Sequence, residues 1–335
     1  MKKSILLAGG LGYIGSHTFL KLQELGFDIV IIDNFSNSSI KNLRLLNRLS
    51  KINLIFYCCD ISNKKKLSDI FQKHNFESVI HFANLKSVSK SVIYPAKYYY
   101  NNVIGTKILL DVIKKFNVKN FIFSSSATVY GNPVFLPINE SHVIRAKNPY
   151  AKNKIDIEAM ITGDDYFHLN CSVKILRYFN PIGAHPSGLI GELPIGRPDN
   201  LLPAILKVAI KEYECLEIFG SDYETNDGTC IRDFIHIEDL VDGHIKSLEY
   251  SKIGITIMNL GTGNGFSVLN LLKTFEKVNN VKIPYKFSQR RAGDLPVVYS
   301  NPQKSKKLIN FHAKKTLDEM CFDAWSFVKN TSYII

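Results

Sequence analysis

The sequence S-I-L-L at residues 4–7, followed by G-G-L-G-Y-I-G at residues 9–15, decides the fold of this chain. The pattern predicts an apolar strand, a glycine-rich turn and a helix that runs to about residue 25. One glycine permits the tight turn, one lets backbone N–H groups approach a pyrophosphate, and one lets the helix pack closely on the strand. The helix N-terminus then favours an anion. An ordinary strand–helix turn is the alternative, so the surrounding sequence has to decide.

Asp33 follows the second predicted strand, residues 28–32, and supports a dinucleotide site. A carboxylate at this position accepts hydrogen bonds from both ribose hydroxyls of NAD and repels the 2′-phosphate of NADP. No arginine adjoins it in the sequence. A turn or helix-capping role ahead of Asn34 is the alternative. The pattern favours NAD as the cofactor.

Further apolar runs alternate with helical patterns through the first half of the chain. They predict strands at residues 54–59, 79–82, 121–124 and 173–179. Strands that alternate with helices at this spacing form right-handed βαβ units and a parallel sheet covered on both faces. The expected fold class is therefore α/β, with a Rossmann-type doubly wound parallel sheet.

The sequence changes character after Asn180, because prolines and glycines occupy eight of the eighteen positions 181–198. This composition predicts an irregular segment and a crossing into a smaller α+β substrate-binding lobe. We therefore expect a NAD-binding domain at residues 1–180 and a second lobe at residues 181–335. The elements expected beyond the crossing are helices near residues 201–213, 238–250 and 317–328, and a strand at 255–260 that rejoins the large sheet.

Composition excludes several classes of protein. The chain has 335 residues and 45% hydrophobic content, and no apolar run approaches the roughly 18 residues that span a bilayer. The opening M-K-K-S-I-L-L breaks into Ala8-Gly9-Gly10 too early for a signal peptide. Six cysteines without CxxC or metal spacing predict reduced thiols in a cytoplasm and no metal site.

A net charge of +12 raises the alternative of a nucleic-acid-binding protein. The lysines are spread along the chain, however, and the run at residues 64–66 belongs to a polar segment expected to be a surface helix. No recognised nucleic-acid-binding module accompanies the charge. We expect no nucleic-acid partner, and a salt-dependent shift with DNA would favour the alternative.

Tyr150 and Lys154 form a Tyr-x-x-x-Lys pair in Y-A-K-N-K, and Ser126 precedes them at the end of I-F-S-S-S. A tyrosine phenol with a pKa near 10 is a poor base at neutral pH. A lysine one helical turn along stands on the same face, where its charge and that of a nicotinium ring favour the phenolate. Ser126 can hydrogen-bond the same substrate oxygen. A surface helix pair is the alternative, but the strand and dinucleotide turn upstream favour catalysis.

With these motifs, the sequence resembles the extended short-chain dehydrogenase/reductase family, and within it the UDP-hexose 4-epimerases of galactose metabolism. The resemblance covers nearly the whole chain. The motifs that carry it are GGLGYIGSH at 9–17, DN at 33–34, VIHFA at 79–83, NNVIGT at 101–106, NFIFSSSATVYG at 120–131, NPYAKNK at 148–154, LRYFNPIGAHPSG at 176–188, DGTCIRDFIH at 227–236 and RRAGDLP at 290–296.

The resemblance implies a role for each matching residue. Tyr150 would be the base and acid, Lys154 its charge partner, and Ser126 the hydroxyl that assists proton transfer. The NAD site would comprise Gly9, Gly12, Tyr13, Ile14, Gly15, Asp33, Asn34, Asp60, Ile61, Phe82, Ala83, Lys86, Asn101, Ser124, Tyr150, Lys154 and Tyr178. The UDP-sugar would contact Ser126, Tyr150, Asn180, Asn200, Leu201, Phe219, Arg232, Arg291, Asp294 and Val298.

The implied reaction inverts the configuration at sugar C4. A proton leaves the 4-hydroxyl, hydride passes to bound NAD, the 4-keto sugar turns over, and hydride returns to its other face. Two arginines suit the diphosphate because they form charge-assisted hydrogen bonds with it. The family also implies a homodimer.

Two alternatives concern the activity itself. Sugar-nucleotide dehydratases and decarboxylases share NAD and the Tyr-x-x-x-Lys pair, but a dehydratase needs an acid beside the serine position. Here Ala127 and Thr128 follow Ser126, which favours an epimerase. A non-catalytic NAD-sensing module would be expected to have lost Tyr150 or Lys154, and this chain keeps both.

Two positions depart from the usual family pattern. Asn84 stands where F-A-G-L-K is usual, so the loop that carries Lys86 is expected to differ in shape. Val298 stands where some epimerases of simple hexoses carry a tyrosine, and a smaller side chain there implies room for an N-acetyl group. Additional activity on UDP-N-acetylhexosamines is therefore expected, with such a sugar as the main substrate the alternative. Tyr299 is one residue further on, and a shift of register by one residue would reverse this inference.

Overall fold

The computed structural model describes residues 4–194, 196–291 and 293–332. Its strands fall into one large sheet and several short pairings. In chain order the strands are β1 (Ser4–Ala8), β2 (Asp28–Asp33), β3 (Ile55–Cys58), β4 (Phe76–His81), β5 (Asn120–Ser126), β6 (Ser172–Tyr178), β7 (Asn180–Ile182), β8 (Leu216–Phe219), β9 (Ile231–Arg232), β10 (Phe234–His236), β11 (Gly254–Leu260), β12 (Phe266–Ser267), β13 (Tyr285–Ser288) and β14 (Val297–Val298).

Helices of very different lengths connect these strands. They are α1 (Tyr13–Glu24), α2 (Ile40–Leu49), α3 (Lys64–Lys73), α4 (Val88–Ile93), α5 (Pro95–Tyr99), α6 (Gly105–Lys115), α7 (Pro149–Thr162), α8 (Asp165–Leu169), α9 (Leu201–Ala209), α10 (Ile237–Glu249), α11 (Val268–Asn279), α12 (Gln303–Ile309) and α13 (Leu317–Ser332). A π-helical turn, Tyr100–Ile104, joins α5 to α6, and a 3₁₀ turn, Ala127–Tyr130, follows β5.

The large sheet has seven strands in the order β11-β6-β5-β4-β1-β2-β3. The pairings β1–β2, β1–β4, β2–β3 and β4–β5 are parallel. Strand order reverses between β1 and β4, where the carboxyl ends of neighbouring strands leave a crevice for ligands. The expected Rossmann-type parallel sheet is confirmed.

Burial explains why the central strands read as unbroken apolar runs. Residues 5–8 of β1 and 29–32 of β2 are at most 3% exposed. Strands in a parallel sheet are covered by helices on both faces, so both sets of alternating side chains are apolar. The β7–β10, β8–β13 and β9–β12–β14 pairings are much shorter.

The described chain divides into two compact units. The first contains the chain up to Gly131, Ile144–Arg177 and Val241–Met258; the second contains Asn132–Val143, Tyr178–Leu240 and the chain from Asn259 onward. One division therefore lies close to the expected position at residue 180. Most of α10 belongs to the first unit, where the Asn120 side chain donates to the Leu248 carbonyl at 2.9 Å. The assignment of cofactor and substrate to separate domains stays a prediction.

Each unit has its own apolar core. In the first, Leu6, Val30, Val79, Phe121 and Ile175 belong to one buried cluster across the large sheet. In the second, helices α9, α11 and α13 contribute buried side chains to another cluster. Within the part of the chain that the structure describes, no helix is both long enough and apolar enough to cross a membrane.

Element ends differ from the sequence-based expectation where local backbone geometry decides them. Strand β4 begins three residues before the expected residue 79. Helix α9 ends at Ala209, not near residue 213, because Lys211 adopts a left-handed conformation with φ of 63°. The N–H groups of Glu212 and Tyr213 then donate to the Lys207 carbonyl and close the helix end. The strand expected at 255–260 is β11, which joins the large sheet beside β6.

Candidate active site

The glycine-rich turn brings backbone against backbone between β1 and α1. Gly9 has φ of +78°, and a Cβ atom there would lie 2.6 Å from the Ala83 nitrogen. A Cβ atom at Gly15 would lie 2.6 Å from the Gly9 carbonyl oxygen. Gly12 is the N-cap of α1 and offers no side chain to the first-turn N–H groups. The turn is therefore shaped for close approach of an anion to main-chain donors.

A cleft with about 480 Å³ of open space lies at this turn, within the first unit. Eight of the residues expected to bind NAD line it: Gly9, Gly12, Asp33, Asn34, Ile61, Phe82, Ala83 and Asn101. Six further lining residues were not predicted: Ile32, Ser36, Asn37, Ser38, Cys59 and Asn84. The polar run at 36–38 is separated from Asp33-Asn34 only by Phe35, and this proximity was a usable signal.

Asp33 is held in place by its own loop at the end of β2. Its carboxylate accepts from the Leu11 N–H at 3.2 Å, the Phe35 N–H at 2.9 Å and the Ser38 hydroxyl at 2.7 Å. Burial raises the pKa of this carboxyl, and those hydrogen bonds act in the opposite direction. Asp33 therefore both stabilises its own turn and lines the cleft.

Asn34 and Asp60 form the neighbouring wall. The Asn34 amide donates to the Asp60 carboxylate at 2.6 Å, and Ser62 donates to the same carboxylate through its N–H at 2.8 Å and its hydroxyl at 2.7 Å. Burial works against ionisation of Asp60, but the bonds from Ser62 and Asn34 outweigh it and lower its pKa. Asp60 therefore orients Asn34 as a charged acceptor.

The other residues expected to bind NAD lie at several positions. Tyr13 and Ile14 begin α1, and Lys86 is exposed on the loop before α4. Ser124 lies near the end of β5 and Tyr178 at the end of β6. A glycine cradle, a helix N-terminus and a strand-end carboxylate within one cleft fit a dinucleotide.

Ser126, Tyr150 and Lys154 come together in the first unit. Helix α7 places Tyr150 and Lys154 one turn apart, and Ser126, the last residue of β5, is near enough to lower the pKa of the Tyr150 phenol. The Thr128 N–H and hydroxyl donate to the Ser126 oxygen at 3.2 and 3.0 Å. The Lys154 ammonium lies 5.7 Å from the centre of the Tyr150 ring. This group can pass a proton to and from a substrate hydroxyl.

Burial dominates the protonation of this group. It raises the pKa of Tyr150 to about 12, and the bond with Ser126 only partly opposes the rise. Burial also lowers the pKa of Lys154 to about 7, with Glu158 acting in the opposite direction. Lys154 is not among the groups that shift the pKa of Tyr150, so the expectation that the lysine and a nicotinium charge favour the phenolate stays a prediction for the protein with its cofactor bound.

A buried ion pair behind Lys154 escaped the sequence analysis. Glu158 follows Lys154 by one turn of α7 and pairs with Arg177 of β6 at 2.6 Å. The Ser125 hydroxyl donates to Glu158 at 2.5 Å, and Arg177 donates to the Tyr130 hydroxyl at 3.1 Å. Its spacing of four residues from Lys154 places Glu158 on the same face of α7, so this residue could have been found from the sequence. Arg177 lies on a strand nineteen residues further on, and no local pattern indicates that it pairs with Glu158.

In the second unit, four residues expected to hold UDP form one cluster. Arg291 donates to both Asp294 carboxylate oxygens, at 3.1 and 3.2 Å, and its guanidinium carbon lies 5.4 Å from the Phe219 ring centre. Arg232 lies 3.8 Å from the same carboxylate. It also donates to the Leu295 carbonyl at 2.7 Å. The two arginines are thus close enough to meet one dianionic group.

The remaining residues predicted to bind the substrate lie on β7, α9 and β14. Val298 on β14 is the register neighbour of Arg232 on β9. Asn200 caps α9, Leu201 begins that helix, and Asn180 begins β7. Among the described residues, no group of three or more His, Cys, Asp or Glu side chains could hold a metal ion.

The sheet, the glycine cleft and the Ser-Tyr-Lys group define a dinucleotide-binding α/β protein equipped for proton transfer. Residues 5–261 match the NAD dependent epimerase/dehydratase family, and the chain belongs to it. It is 46% identical over 324 residues to UDP-glucose 4-epimerase of Bacillus subtilis, and the match covers 96% of each chain.

Solved structures agree with this assignment. The UDP-glucose 4-epimerase of Bifidobacterium longum, solved in complex with NAD⁺ and UDP, matches with a TM-score of 0.95 and 39% identity over 98% of this chain and 99% of that one. The UDP-Glc/GlcNAc 4-epimerase of Campylobacter jejuni matches with a TM-score of 0.83 and 32% identity over 98% and 99% of the two chains.

Proposed function

We propose that this protein is a UDP-glucose 4-epimerase that interconverts UDP-glucose and UDP-galactose with a tightly held NAD. The observation that carries the proposal is the grouping of Tyr150 and the buried Lys154, one turn apart on α7, with Ser126 at the end of β5 near enough to act on the pKa of the Tyr150 phenol. Full-length similarity to UDP-glucose 4-epimerases supports the choice of this reaction among those of the family.

Tyr150 is the proton carrier in the proposed mechanism. It takes the proton of the sugar 4-hydroxyl and later returns it, while Ser126 orients the same oxygen through its hydroxyl. The Thr128 N–H and hydroxyl both point to the Ser126 oxygen and fix its position. When bound, NAD takes hydride from sugar C4 and returns it to the other face, and its nicotinium charge favours the Tyr150 phenolate.

Lys154 is placed to support that proton transfer. Its ammonium donates to the Ser124 carbonyl at 2.6 Å and lies 4.8 Å from the Phe123 ring centre. These contacts hold it beside Tyr150. Because its pKa of about 7 is close to neutral, small changes in its surroundings decide its charge.

The UDP group is proposed to bind the arginine cluster of the second unit. Arg232 and Arg291 can each donate to a diphosphate, and Asp294 can accept from ribose hydroxyls. The Arg291 side chain is 49% exposed, so its pairing with Asp294 is weak enough to exchange for a phosphate. A firm hold on the nucleotide leaves the sugar able to turn over.

The direct test is to incubate the purified protein with UDP-glucose and to follow UDP-galactose formation without added cofactor. Denaturing a parallel sample should release NAD(H) in near-stoichiometric amount. Formation of a 4-keto-6-deoxy sugar in place of UDP-galactose would identify a dehydratase, and formation of a UDP-pentose with release of CO2 in a parallel assay with UDP-glucuronic acid would identify a decarboxylase. Dependence on added NADP would contradict the cofactor assignment.

We also propose that UDP-N-acetylglucosamine and UDP-N-acetylgalactosamine are substrates. Val298 supports this proposal because it is half-buried beside Arg232 and is small. The likeness to an epimerase named for both glucose and N-acetylglucosamine is compatible with it. The test compares turnover rates of UDP-glucose and UDP-N-acetylglucosamine under identical conditions. Absence of turnover with UDP-N-acetylglucosamine would refute the proposal.

A homodimer in the cytoplasm completes the proposal. Apolar side chains of α4 and the turns after it are exposed in the first unit, with Val92 at 61%, Ile93 at 66% and Tyr100 at 60%. Exposed apolar patches of this kind mark association surfaces. Sedimentation equilibrium should give twice the chain mass of 38.0 kDa, and a monomer at micromolar concentration would contradict this part.

A further inference from the structure

A hydrogen bond between Ser125 of β5 and Glu158 of α7 has no part in the chemistry described so far. The Ser125 hydroxyl donates to Glu158 Oε1 at 2.5 Å, and the two residues are 2% and 5% exposed. Arg177 of β6 donates to both oxygens of the same carboxylate, from Nε at 3.1 Å and from Nη2 at 2.6 Å. Because this bidentate pair fixes the carboxylate, Glu158 offers Ser125 an acceptor in a set position.

Ser125 lies between two residues that contact the catalytic pair. The carbonyl of Ser124 accepts from the Lys154 ammonium at 2.6 Å. On the other side, Ser126 is near enough to Tyr150 to act on the pKa of its phenol. A displacement of Ser125 moves both neighbours with it, because planar peptide bonds join them. The position of Ser125 therefore affects both contacts.

The three residues of α7 that meet this serine run are Tyr150, Lys154 and Glu158, each one helical turn from the next. We propose that Ser125 and Glu158 are positioning residues, whose hydrogen bond holds the end of β5 where its other two serines keep the phenol and the ammonium in place. This inference rests on the proposed function and adds to it two residues that act through others.

Loss of the hydrogen bond should change how Lys154 titrates. A carbonyl acceptor favours the charged lysine, so a displaced Ser124 would lower the pKa of Lys154 further below its ordinary value. Tyr150 and Glu158 face Lys154 from its own helix, and His81 faces it from β4. Burial lowers the pKa of His81 to about 3, so its ring is neutral near pH 7 and cannot produce a shift there.

The test compares Ser125→Ala with the unmodified protein, each carrying its NAD, in the conversion of UDP-glucose to UDP-galactose. The alanine leaves Glu158 paired with Arg177, so no unpaired charge is created in the core. We expect kcat to fall about 10-fold, because small displacements of catalytic groups are costly, while KM changes by less than about 2-fold. The pH at which kcat declines on the alkaline side should drop by about 0.5–1 unit.

Ser247→Ala is the matched control. Ser247 is also buried in the first unit, and its hydroxyl donates to the Gly243 carbonyl within α10 at 2.7 Å. This variant should keep the kcat and the pH profile of the unmodified protein.

An unchanged kcat in Ser125→Ala would overturn the inference. So would a fall in kcat without a shift in the pH profile, since a general loss of structure would account for it. Either result leaves the epimerase proposal intact. Absence of UDP-galactose formation by the unmodified protein would instead refute the proposed function.

Discussion

At the scale of single residues, the phenol of Tyr150 is the group on which the proposed reaction depends. Tyr150→Phe keeps the ring but removes the proton carrier, so we expect kcat to fall roughly 10²-fold or more. UDP affinity and bound NAD should change little. The exposed Tyr94 provides a control, and Tyr94→Phe should retain full activity. Near-normal turnover by Tyr150→Phe would reject this assignment.

Lys154 predicts a pH dependence of folding stability. Burial lowers its pKa to about 7 in the folded chain, below the ordinary value of 10.5. Between these values the unfolded chain holds one more proton, so stability rises with pH and is lost as pH falls toward 7. The slope contributed is up to about 1.4 kcal/mol per pH unit.

This pH dependence can be isolated by comparing two cofactor-free proteins. Urea unfolding at pH 7, 8 and 9 should show a steeper rise for the unmodified protein than for Lys154→Met, which carries no titrating group at that position. Parallel curves would mean that the pKa of Lys154 is not lowered by burial.

Val298 predicts selectivity between sugars. An N-acetyl group adds several heavy atoms at C2, and a tyrosine at this position would occupy that volume. Overfilling a packed site costs about 1–3 kcal/mol, which corresponds to roughly 10-fold to 100-fold in rate or affinity. Val298→Tyr should therefore lower kcat/KM for the N-acetylated sugars by this factor and spare UDP-glucose. Equal loss with both sugars, measured as kcat/KM, would show that Val298 does not control access.

At the scale of elements, the ion pair between Glu158 of α7 and Arg177 of β6 links the helix that carries Tyr150 and Lys154 to the large sheet. Both side chains are at most 6% exposed. Arg177→Met leaves Glu158 charged and unpaired in the core, so we expect a loss of about 3–5 kcal/mol in the free energy of unfolding.

The same helix supplies the control for that loss. Lys152 pairs with Asp156 on the surface of α7, and the Lys152 side chain is 62% exposed. Lys152→Met should cost about 0–1 kcal/mol because solvent screens the pair. Denaturant unfolding measures the free energy of unfolding of both variants. Equal losses of free energy would show that burial does not make the Glu158–Arg177 pair more important for stability than the exposed pair.

At the scale of the whole molecule, cofactor binding is expected to govern thermal stability. A ligand present at 100 times its dissociation constant stabilises the folded chain by about 2.7 kcal/mol. NAD should therefore raise the melting temperature of cofactor-free protein, whereas NADP should not, because the carboxylate of Asp33 repels a 2′-phosphate. Differential scanning fluorimetry measures both shifts. Asp33→Ala should reduce the shift with NAD, and an equal shift with NADP in the unmodified protein would contradict the role of Asp33.

Much of the fold follows from local patterns that need no tertiary information. Apolar runs followed by glycine, aspartate or asparagine located β1, β2, β3 and β6 to within about a residue at each end. Elements of only two or three residues, such as β7, β9 and β14, carry too little periodicity to be predicted. Their strand character comes from pairing with distant segments, β7 with β10 and β9 with β12 and β14, and local sequence patterns do not reveal such pairing.

The candidate site divides in the same way. The sequence alone determined the dinucleotide turn and the Tyr150–Lys154 pair, because each depends on residues close together in the chain. The turn needs glycines where backbone approaches backbone and a carboxylate at the end of the next strand. The catalytic pair needs a tyrosine and a lysine one helical turn apart. Only the tertiary structure decided that Arg177 neutralises Glu158 and that Asn84 enters the cleft with its amide unpaired. It also decided that burial, not the lysine charge, dominates the pKa of Tyr150. Desolvation and long-range pairing depend on which distant segments meet, and that is a property of the folded chain.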